Sequence, residues 1–171
     1  EENKYQVIPK IILDYKELAG AIRKFNEEDP LTLILKVRKL KRENKYTEAL
    51  EILNKVVTLR PENDSYWNDY ANHARMIYQK DRKLILSFLD SFEKDHLNNP
   101  YPNIVRGLLE EDLKKSNEYF EKAIKLKPDL KTAYIISGTK NYEYKNYKKA
   151  KEIFMKILKL DSKDINALYR K

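Results

Sequence analysis

The side chains of this 171-residue chain that are best able to do chemistry are few and scattered. Cysteine is absent, which excludes disulfides, thiolate catalysis and cysteine-ligated metal sites. His73 and His96 are the only histidines, and neither belongs to a matched ligand set; Asp69 and His73 are four residues apart, but a lone pair is more typical of a surface hydrogen bond than of a metal site. The stretch DSKD at 161–164 lacks the glycine and the closing glutamate of a calcium loop. We therefore expect neither a metal site nor a cofactor.

The glycines exclude a second group of functions. Gly20, Gly107 and Gly138 are isolated from one another, whereas phosphate-binding loops need several glycines close together so that backbone amides can approach the phosphate. The dinucleotide fingerprint and the P-loop are both missing. Because no catalytic constellation remains, we predict that this chain is not an enzyme and that any catalysis would need a further domain upstream.

Charge points to one class of partner. The net charge is +8, and residues 101–171 carry 17 basic against 10 acidic side chains. The run 139–152 interleaves lysines with tyrosines, a combination that binds single-stranded nucleic acid by charge and stacking. The candidate basic patch comprises Lys140, Lys145, Lys148 and Lys149. Since lysine outnumbers arginine 27 to 8, a solvated lysine surface is the simpler interpretation, and nucleic acid or anionic membrane stays the alternative partner.

Internal repetition is the most informative feature of the sequence. Residues 44–61 align with 145–162: Tyr46 or Tyr147 is followed three positions later by alanine, and four positions beyond by Leu53 or Phe154. Two further segments, 111–128 and 13–30, follow the same scheme. Pro61 and Pro128 lie 67 residues apart, which is two periods of 33.5. Apolar spacings of three and four keep these residues on one helix face.

A period near 34 with this pattern resembles the tetratricopeptide repeat (TPR), a helix–turn–helix unit whose second helix is followed by proline. Trp67 and Ala71, and again Tyr134 and Gly138, stand where that family has a large aromatic and a small residue in its first helix. The resemblance implies an all-α, right-handed α-solenoid of TPR-like repeats with about nine to eleven helices. It also implies that Tyr147, a signature position, is buried.

We expect one continuous domain with an N-terminal appendage. A degenerate helical unit at 1–29 precedes a repeat array at 30–171. The expected boundaries are about 30–63, 64–98, 100–130 and 131–164, with a partial last helix at 165–171. The repeat at 64–98 has a long second helix near 81–96, and the repeat at 100–130 is compressed, because its first helix lacks about one turn.

TPR arrays bind extended peptides or partner helices in a concave groove lined by their first helices, so the resemblance implies another protein as the partner. The groove candidates are Arg38, Arg42, Asn68, Asn72, Arg75 and Tyr142, with Thr139 beside them. Asn68 and Asn72, four residues apart, share a helix face and suit a peptide backbone, while the arginines suit carboxylates. Tyr66 and Tyr70 are candidate anchors that are partly exposed. The terminal helix at 165–171 offers a route to self-association.

Location is left open by the sequence. The longest uncharged runs reach about nine residues, against about 20 for a membrane-spanning helix, so we expect no transmembrane segment in this chain. The chain begins at Glu1 rather than methionine, from which we expect a missing upstream segment such as a tag, a signal peptide, an anchor or a domain. Two locations stay open: the chain is the extracytoplasmic part of an anchored envelope protein, or it is a cytoplasmic scaffold.

Overall fold

A computed structural model describes residues 28–160 of the chain, and these residues form seven α-helices and no β-strand. The helices are α1 (Pro30–Arg42), α2 (Tyr46–Leu59), α3 (Asp64–Asp95), α4 (Tyr101–Leu109), α5 (Leu113–Leu126), α6 (Lys131–Glu143) and α7 (Tyr147–Leu160). The predicted all-α class is confirmed. The predictions of an N-terminal helical unit and of a last helix at 165–171 lie outside the described residues.

The chain divides into two compact units between Leu59 and Arg60. In the first unit α1 packs against α2. Asp29 starts α1 because its carboxylate accepts hydrogen bonds from the free amides of Leu31 (2.9 Å) and Thr32 (3.2 Å). The apolar residues of both helices recur at spacings of three and four, and they are buried: Leu33, Ile34, Val37, Ala49, Leu50, Leu53, Val56 and Val57.

Two turns share one unusual backbone conformation. Asn44, between α1 and α2, has a φ of 59°, and Lys145, between α6 and α7, has a φ of 61°. The left-handed region reverses the chain direction within a few residues, and asparagine tolerates it better than lysine does. The two residues occupy corresponding places in their helix pairs, each two positions before the tyrosine that begins the second helix.

The second unit begins with α3, which is two helices joined without a loop. Asp81 interrupts its 32 residues with φ −113° and ψ 25°, so residues 64–80 and 82–95 act as the first and second helix of one repeat. Trp67 sits in the core between them: its ring stacks on Tyr101 at 5.5 Å and meets Phe92 edge-on at 5.0 Å. The long second helix expected near 81–96 corresponds to the second part of α3.

The remaining helices form two further pairs, α4 with α5 and α6 with α7, and α4 also contacts α6. Each pair closes on a glycine. A Cβ added to Gly107 would lie 2.7 Å from Cε1 of Phe120, and one added to Gly138 would lie 2.7 Å from Cε1 of Phe154. Only glycine lets the paired helices approach this closely. As expected, α4 is short, with nine residues against the 13 of α6.

Candidate partner-binding groove

Two side-chain pairs join α3 to α6 within the second unit. Near the start of both helices, Thr132 Oγ1 donates a hydrogen bond to Asp64 Oδ2 at 2.5 Å. Near the end of residues 64–80 and of α6, Arg75 Nη2 lies 3.9 Å from Glu143 Oε2. The face of α3 and α6 between these two pairs is called the groove below. The first helix of the repeat between them, α4, contacts both α3 and α6.

Three predicted residues lie along this face. Asn68, Asn72 and Arg75 follow Asp64 at spacings of four, four and three, which keeps all of them on the side of α3 that meets α6. All three are exposed. Neither asparagine side chain has a hydrogen-bond partner among residues 28–160.

The other predicted groove residues belong to the first unit or make a different contact in the second. Arg38 and Arg42 are exposed on α1, in the first unit. Tyr142 is exposed, but its ring meets that of Tyr147 on α7 edge-on at 5.4 Å, so it is not brought together with Arg75. Tyr147 itself is 56% exposed, and its predicted burial was wrong because it covers Tyr142 at the surface instead of entering the core.

The anchor role predicted for Tyr70 was also wrong. Its side chain is fully buried, where it meets Trp67 edge-on at 5.5 Å, while Tyr66 is half-buried. Burial raises the pKa of the Tyr70 phenol. The Tyr70 hydroxyl finds no hydrogen-bond partner in the described part of the chain. The ring therefore stabilises the core and is not available to a partner.

Lys140 corrects the predicted basic patch. Its side chain is buried, with 6% exposed, and Nζ donates hydrogen bonds to the carbonyl oxygens of Gly107 (3.0 Å), Leu108 (2.8 Å) and Glu110. These carbonyls stand at the end of α4, where the helix has no further amides to bind them and carries partial negative charge. Burial lowers the pKa of Lys140, and the Glu110 carboxylate opposes that shift. Lys140 is therefore an interior cap and not a surface cation.

The rest of the predicted patch is at the surface. Lys145 and Lys148 are exposed, and Lys149 Nζ lies 3.5 Å from Glu121 Oε1 on α5. Lys145 occupies the left-handed turn described above. Lys140 is buried and Lys149 lies beside a carboxylate, so two of the four predicted lysines, Lys145 and Lys148, are exposed and have no ion pair with another residue of 28–160.

A cavity of about 220 Å³ lies at the end of the groove that Arg75 and Glu143 mark. It is called the end pocket. Its lining comes from α3, from α6 and the residue after it, and from the end of α4 with the turn that follows: Arg75, Tyr78, Gln79, Leu108, Leu109, Glu110, Glu111, Lys140, Glu143 and Tyr144. Gln79 Nε2 reaches Glu111 Oε1 at 3.5 Å across it. Sequence reasoning had named Arg75 and Lys140 but not this cavity.

A signal for the end pocket was nonetheless present. Lys140 follows Gly107 by 33 residues, about one repeat, and stands two positions after Gly138, the glycine that corresponds to Gly107, so its side chain can reach the neighbouring first helix. Because α4 is about one turn shorter than α6, its last carbonyls lie open to a long side chain from the next repeat. The missing turn and the lysine one period later together would have predicted both the cap and the cavity beside it.

Two other polar clusters hold the helices together. Asn141, fully buried, donates hydrogen bonds to Asn117 Oδ1 (2.7 Å) and to the Ser137 carbonyl (2.9 Å), and it accepts one from Asn146 (3.2 Å). This network ties α6 to α5 and to the turn before α7. Arg106 of α4 binds Glu93 at 2.8 Å and Asp90 at 2.7 Å on α3. Both clusters satisfy buried or half-buried polar groups, as folded proteins require.

Residues 28–160 contain no group of three or more histidine, aspartate and glutamate side chains arranged to hold a metal ion. None of the helices in this part of the chain combines the length and the apolar character needed to cross a bilayer.

Comparison with known proteins agrees with the helix pairs. The sequence profile of the tetratricopeptide repeat family matches residues 108–130 and 143–164, which include all of α5 and all of α7. A search of curated proteins finds no match. Among solved structures, MamA from residue 41 to its end, from Desulfovibrio magneticus RS-1, is 25% identical, with 94% of this chain and 95% of that chain covered and a TM-score of 0.50.

Two further structures show lower similarity. Another MamA structure is 20% identical over 95% of this chain and 92% of that chain, with a TM-score of 0.49. YrrB, described as a TPR protein with an unusual peptide-binding site, is 17% identical over 88% of this chain and 95% of that chain, with a TM-score of 0.43. The matched repeats and the likeness to MamA from Desulfovibrio magneticus identify the fold as all-α and TPR-like.

Proposed function

Because this chain is a TPR-like repeat domain, a fold that suggests a protein–protein interaction scaffold, we propose that it binds a segment of a partner protein along the groove and carries out no catalysis itself. One observation carries this proposal. Asn68 and Asn72 stand exposed on the groove between the Asp64–Thr132 and Arg75–Glu143 pairs, and neither amide is used within the described chain. Residues 28–160 thus leave the amides of Asn68 and Asn72 for a ligand.

The chemistry of the two amides matches a peptide backbone. Each carries one acceptor and two donor hydrogens, so each can bind both the N–H and the C=O of one residue in an extended peptide, because these two groups lie on the same edge of the strand. Four residues of α-helix advance about 6 Å. Two residues of an extended chain advance about 6.6 Å, after which the backbone presents the same edge again. Asn68 and Asn72 are therefore spaced to bind alternate residues along one edge of an extended strand.

A direct test uses peptides selected from a random twelve-residue display library on the purified protein. The affinity of each selected peptide is then measured by fluorescence anisotropy. The double variant Asn68→Ala, Asn72→Ala should bind about thirtyfold more weakly, because each of the two lost amides contributes about 1 kcal/mol and every 1.4 kcal/mol is about tenfold in affinity. Asn98→Ala, which removes an exposed amide from the loop between α3 and α4, is the matched control and should bind like the unmodified protein.

Two results would count against the groove. If the library yields no binding peptide, the protein does not recognise extended segments. If selected peptides bind the double variant as tightly as the original, recognition takes place on another face. Circular dichroism of both variants guards against loss of fold, which we do not expect because both asparagines are exposed.

Electrostatic binding by the basic half receives less support. Lys140 is withdrawn to cap α4, and Lys149 lies beside Glu121. The anisotropy assay repeated with a labelled single-stranded oligonucleotide would reveal such binding, since its affinity falls steeply with salt. Self-association through residues 165–171 concerns a segment outside the described residues.

A further inference from the structure

We propose that the end pocket accepts a lysine or arginine side chain of the partner segment, so that a basic residue specifies where the segment stops along the groove. The inference rests on the proposed function, which it extends from recognition of a backbone to recognition of a side chain.

The charges that line the pocket favour a cation. Glu110, Glu111 and Glu143 contribute three carboxylates. Among the described residues that line the pocket, Lys140 and Arg75 are the two cations, and the Lys140 ammonium is already bound to three backbone carbonyls. Arg75 is held loosely, since its guanidinium stops 3.9 Å from Glu143 and is 60% exposed. The pocket is thus richer in negative than in positive charge, although residues 101–171 carry a positive excess.

Two tyrosines add a second attraction. Tyr78 is half-buried in the pocket wall and Tyr144 is 47% exposed at its rim. The faces of aromatic rings attract cations. The molecule already uses both rings in this way: Arg82 lies 5.4 Å from the ring centre of Tyr78, and Lys140 Nζ lies 5.6 Å from that of Tyr144. A guest cation would share these rings with Arg82 and Lys140, and it would find the carboxylates beside them.

The pocket also has the size and position for one long side chain. Its volume of about 220 Å³ admits a single lysine or arginine side chain but not a folded element. Arg75, which lines it, is three residues beyond Asn72 on the same helix face. A peptide held by Asn68 and Asn72 therefore reaches the pocket about one residue farther on, since three helical residues advance about 4.5 Å.

Substitution of Arg75 distinguishes a pocket that binds a basic side chain from one that binds an acidic side chain. If the pocket takes a cation, Arg75 competes with the guest for Glu143, and Arg75→Ala should strengthen binding of a basic side chain. If instead Arg75 forks onto a partner carboxylate, the same substitution should weaken binding of an acidic side chain and leave a basic one unaffected.

The closing experiment uses single amino-acid derivatives as probes, so that it does not depend on an identified partner. N-acetyl-arginine amide is titrated into ¹⁵N-labelled protein and followed by NMR, with N-acetyl-norleucine amide and N-acetyl-glutamate amide as neutral and acidic probes. We expect saturable shifts at Tyr144 and Glu143 with the arginine probe alone. Glu111→Gln with Glu143→Gln should weaken it about fivefold, because two exposed ion pairs are lost. Arg75→Ala should tighten it about twofold.

The matched control is Glu48→Gln with Glu51→Gln, which removes the same charge from exposed positions of α2. It should leave the arginine titration unchanged. Equal shifts from all three probes, no saturable shift at Tyr144, or weaker binding of the arginine probe to Arg75→Ala would each overturn the proposal. The outcome is separable from that of the groove: library peptides that bind through Asn72 without a shared basic position would leave the groove standing and refute the basic pocket.

Discussion

Lys140 of α6 donates a hydrogen bond to the carbonyl oxygen of Gly107 on α4, at 3.0 Å and across 33 residues of sequence. The same ammonium serves the carbonyls of Leu108 and Glu110. Lys140→Met keeps the apolar stem but leaves these carbonyls without their donor. We expect the free energy of unfolding to fall by about 2 kcal/mol, measured by urea denaturation. Lys148→Met, at an exposed site, should change it by less than about 0.5 kcal/mol.

Removal of two tyrosine hydroxyls in the second unit should have different effects on the free energy of unfolding. Tyr134 Oη donates a hydrogen bond to the Pro128 carbonyl at 2.8 Å, whereas the buried Tyr70 hydroxyl has no partner among residues 28–160. Tyr134→Phe should therefore cost about 1 kcal/mol in urea denaturation, while Tyr70→Phe should cost nothing or stabilise. A similar loss for both variants would indicate that a bound water satisfies Tyr70.

The glycine contacts predict a repairable clash. In Gly138→Ala the new Cβ would meet the Phe154 ring at 2.7 Å, and the crowding should lower the unfolding free energy by about 1–3 kcal/mol. Phe154→Leu in the same chain removes the ring edge. The double variant should consequently be more stable than the sum of the two single effects predicts, as a double-mutant cycle would show. If the two effects on the unfolding free energy were strictly additive, the helices would accommodate the alanine without any change in the Phe154 ring.

The left-handed turn predicts a stabilising change. Lys145 has a φ of 61°, a conformation that costs a side-chain-bearing residue about 1 kcal/mol and costs glycine little. Lys145→Gly should raise the midpoint of thermal unfolding, and Lys145→Asn should raise it less. Lys148→Gly, within α7, should lower it, because glycine weakens helix interiors. A lower midpoint for Lys145→Gly would mean that the lysine side chain supports the turn.

High pH should destabilise the fold through its buried phenols. Burial raises the pKa of Tyr70 and of Tyr101 in the folded state, so between about pH 10 and those raised values the unfolded chain binds fewer protons. Stability therefore falls with rising pH there, by about 1.4 kcal/mol per pH unit for each phenol. Tyr70→Phe should show a shallower loss in urea denaturation between pH 10 and 12. The same slope in both proteins would contradict the shift.

Much of the second unit could be predicted from its sequence because its signatures are local. Trp67 and Tyr134 each stand six residues after a proline, and each donates its side-chain hydrogen bond to that proline's carbonyl at 2.8 Å. Gly107 and Gly138 likewise stand where the helices must approach. These contacts involve residues that are close in sequence or that lie in the two helices of one repeat. A residue pattern that recurs in two repeats therefore predicts the same contact in both.

The candidate site was harder to predict because it depends on contacts between repeats. Lys140 reads in the sequence as one more lysine in a basic run, and only the early end of α4 makes it an interior residue. Tyr147 reads as a core aromatic, yet it lies at the surface against Tyr142. In both cases the immediate sequence is unremarkable, and the neighbouring element decides where the side chain lies.

During protein synthesis, α4 is made before the lysine that caps it. A ribosome completes α4 many residues before it reaches Lys140, so the helix leaves the exit tunnel with its last carbonyls bare. The hydrogen bonds that cap α4 can form only after Lys140, which lies 33 residues after Gly107, has also been made. For this one helix, synthesis from the amino end therefore delivers the stabilising residue after the helix that needs it.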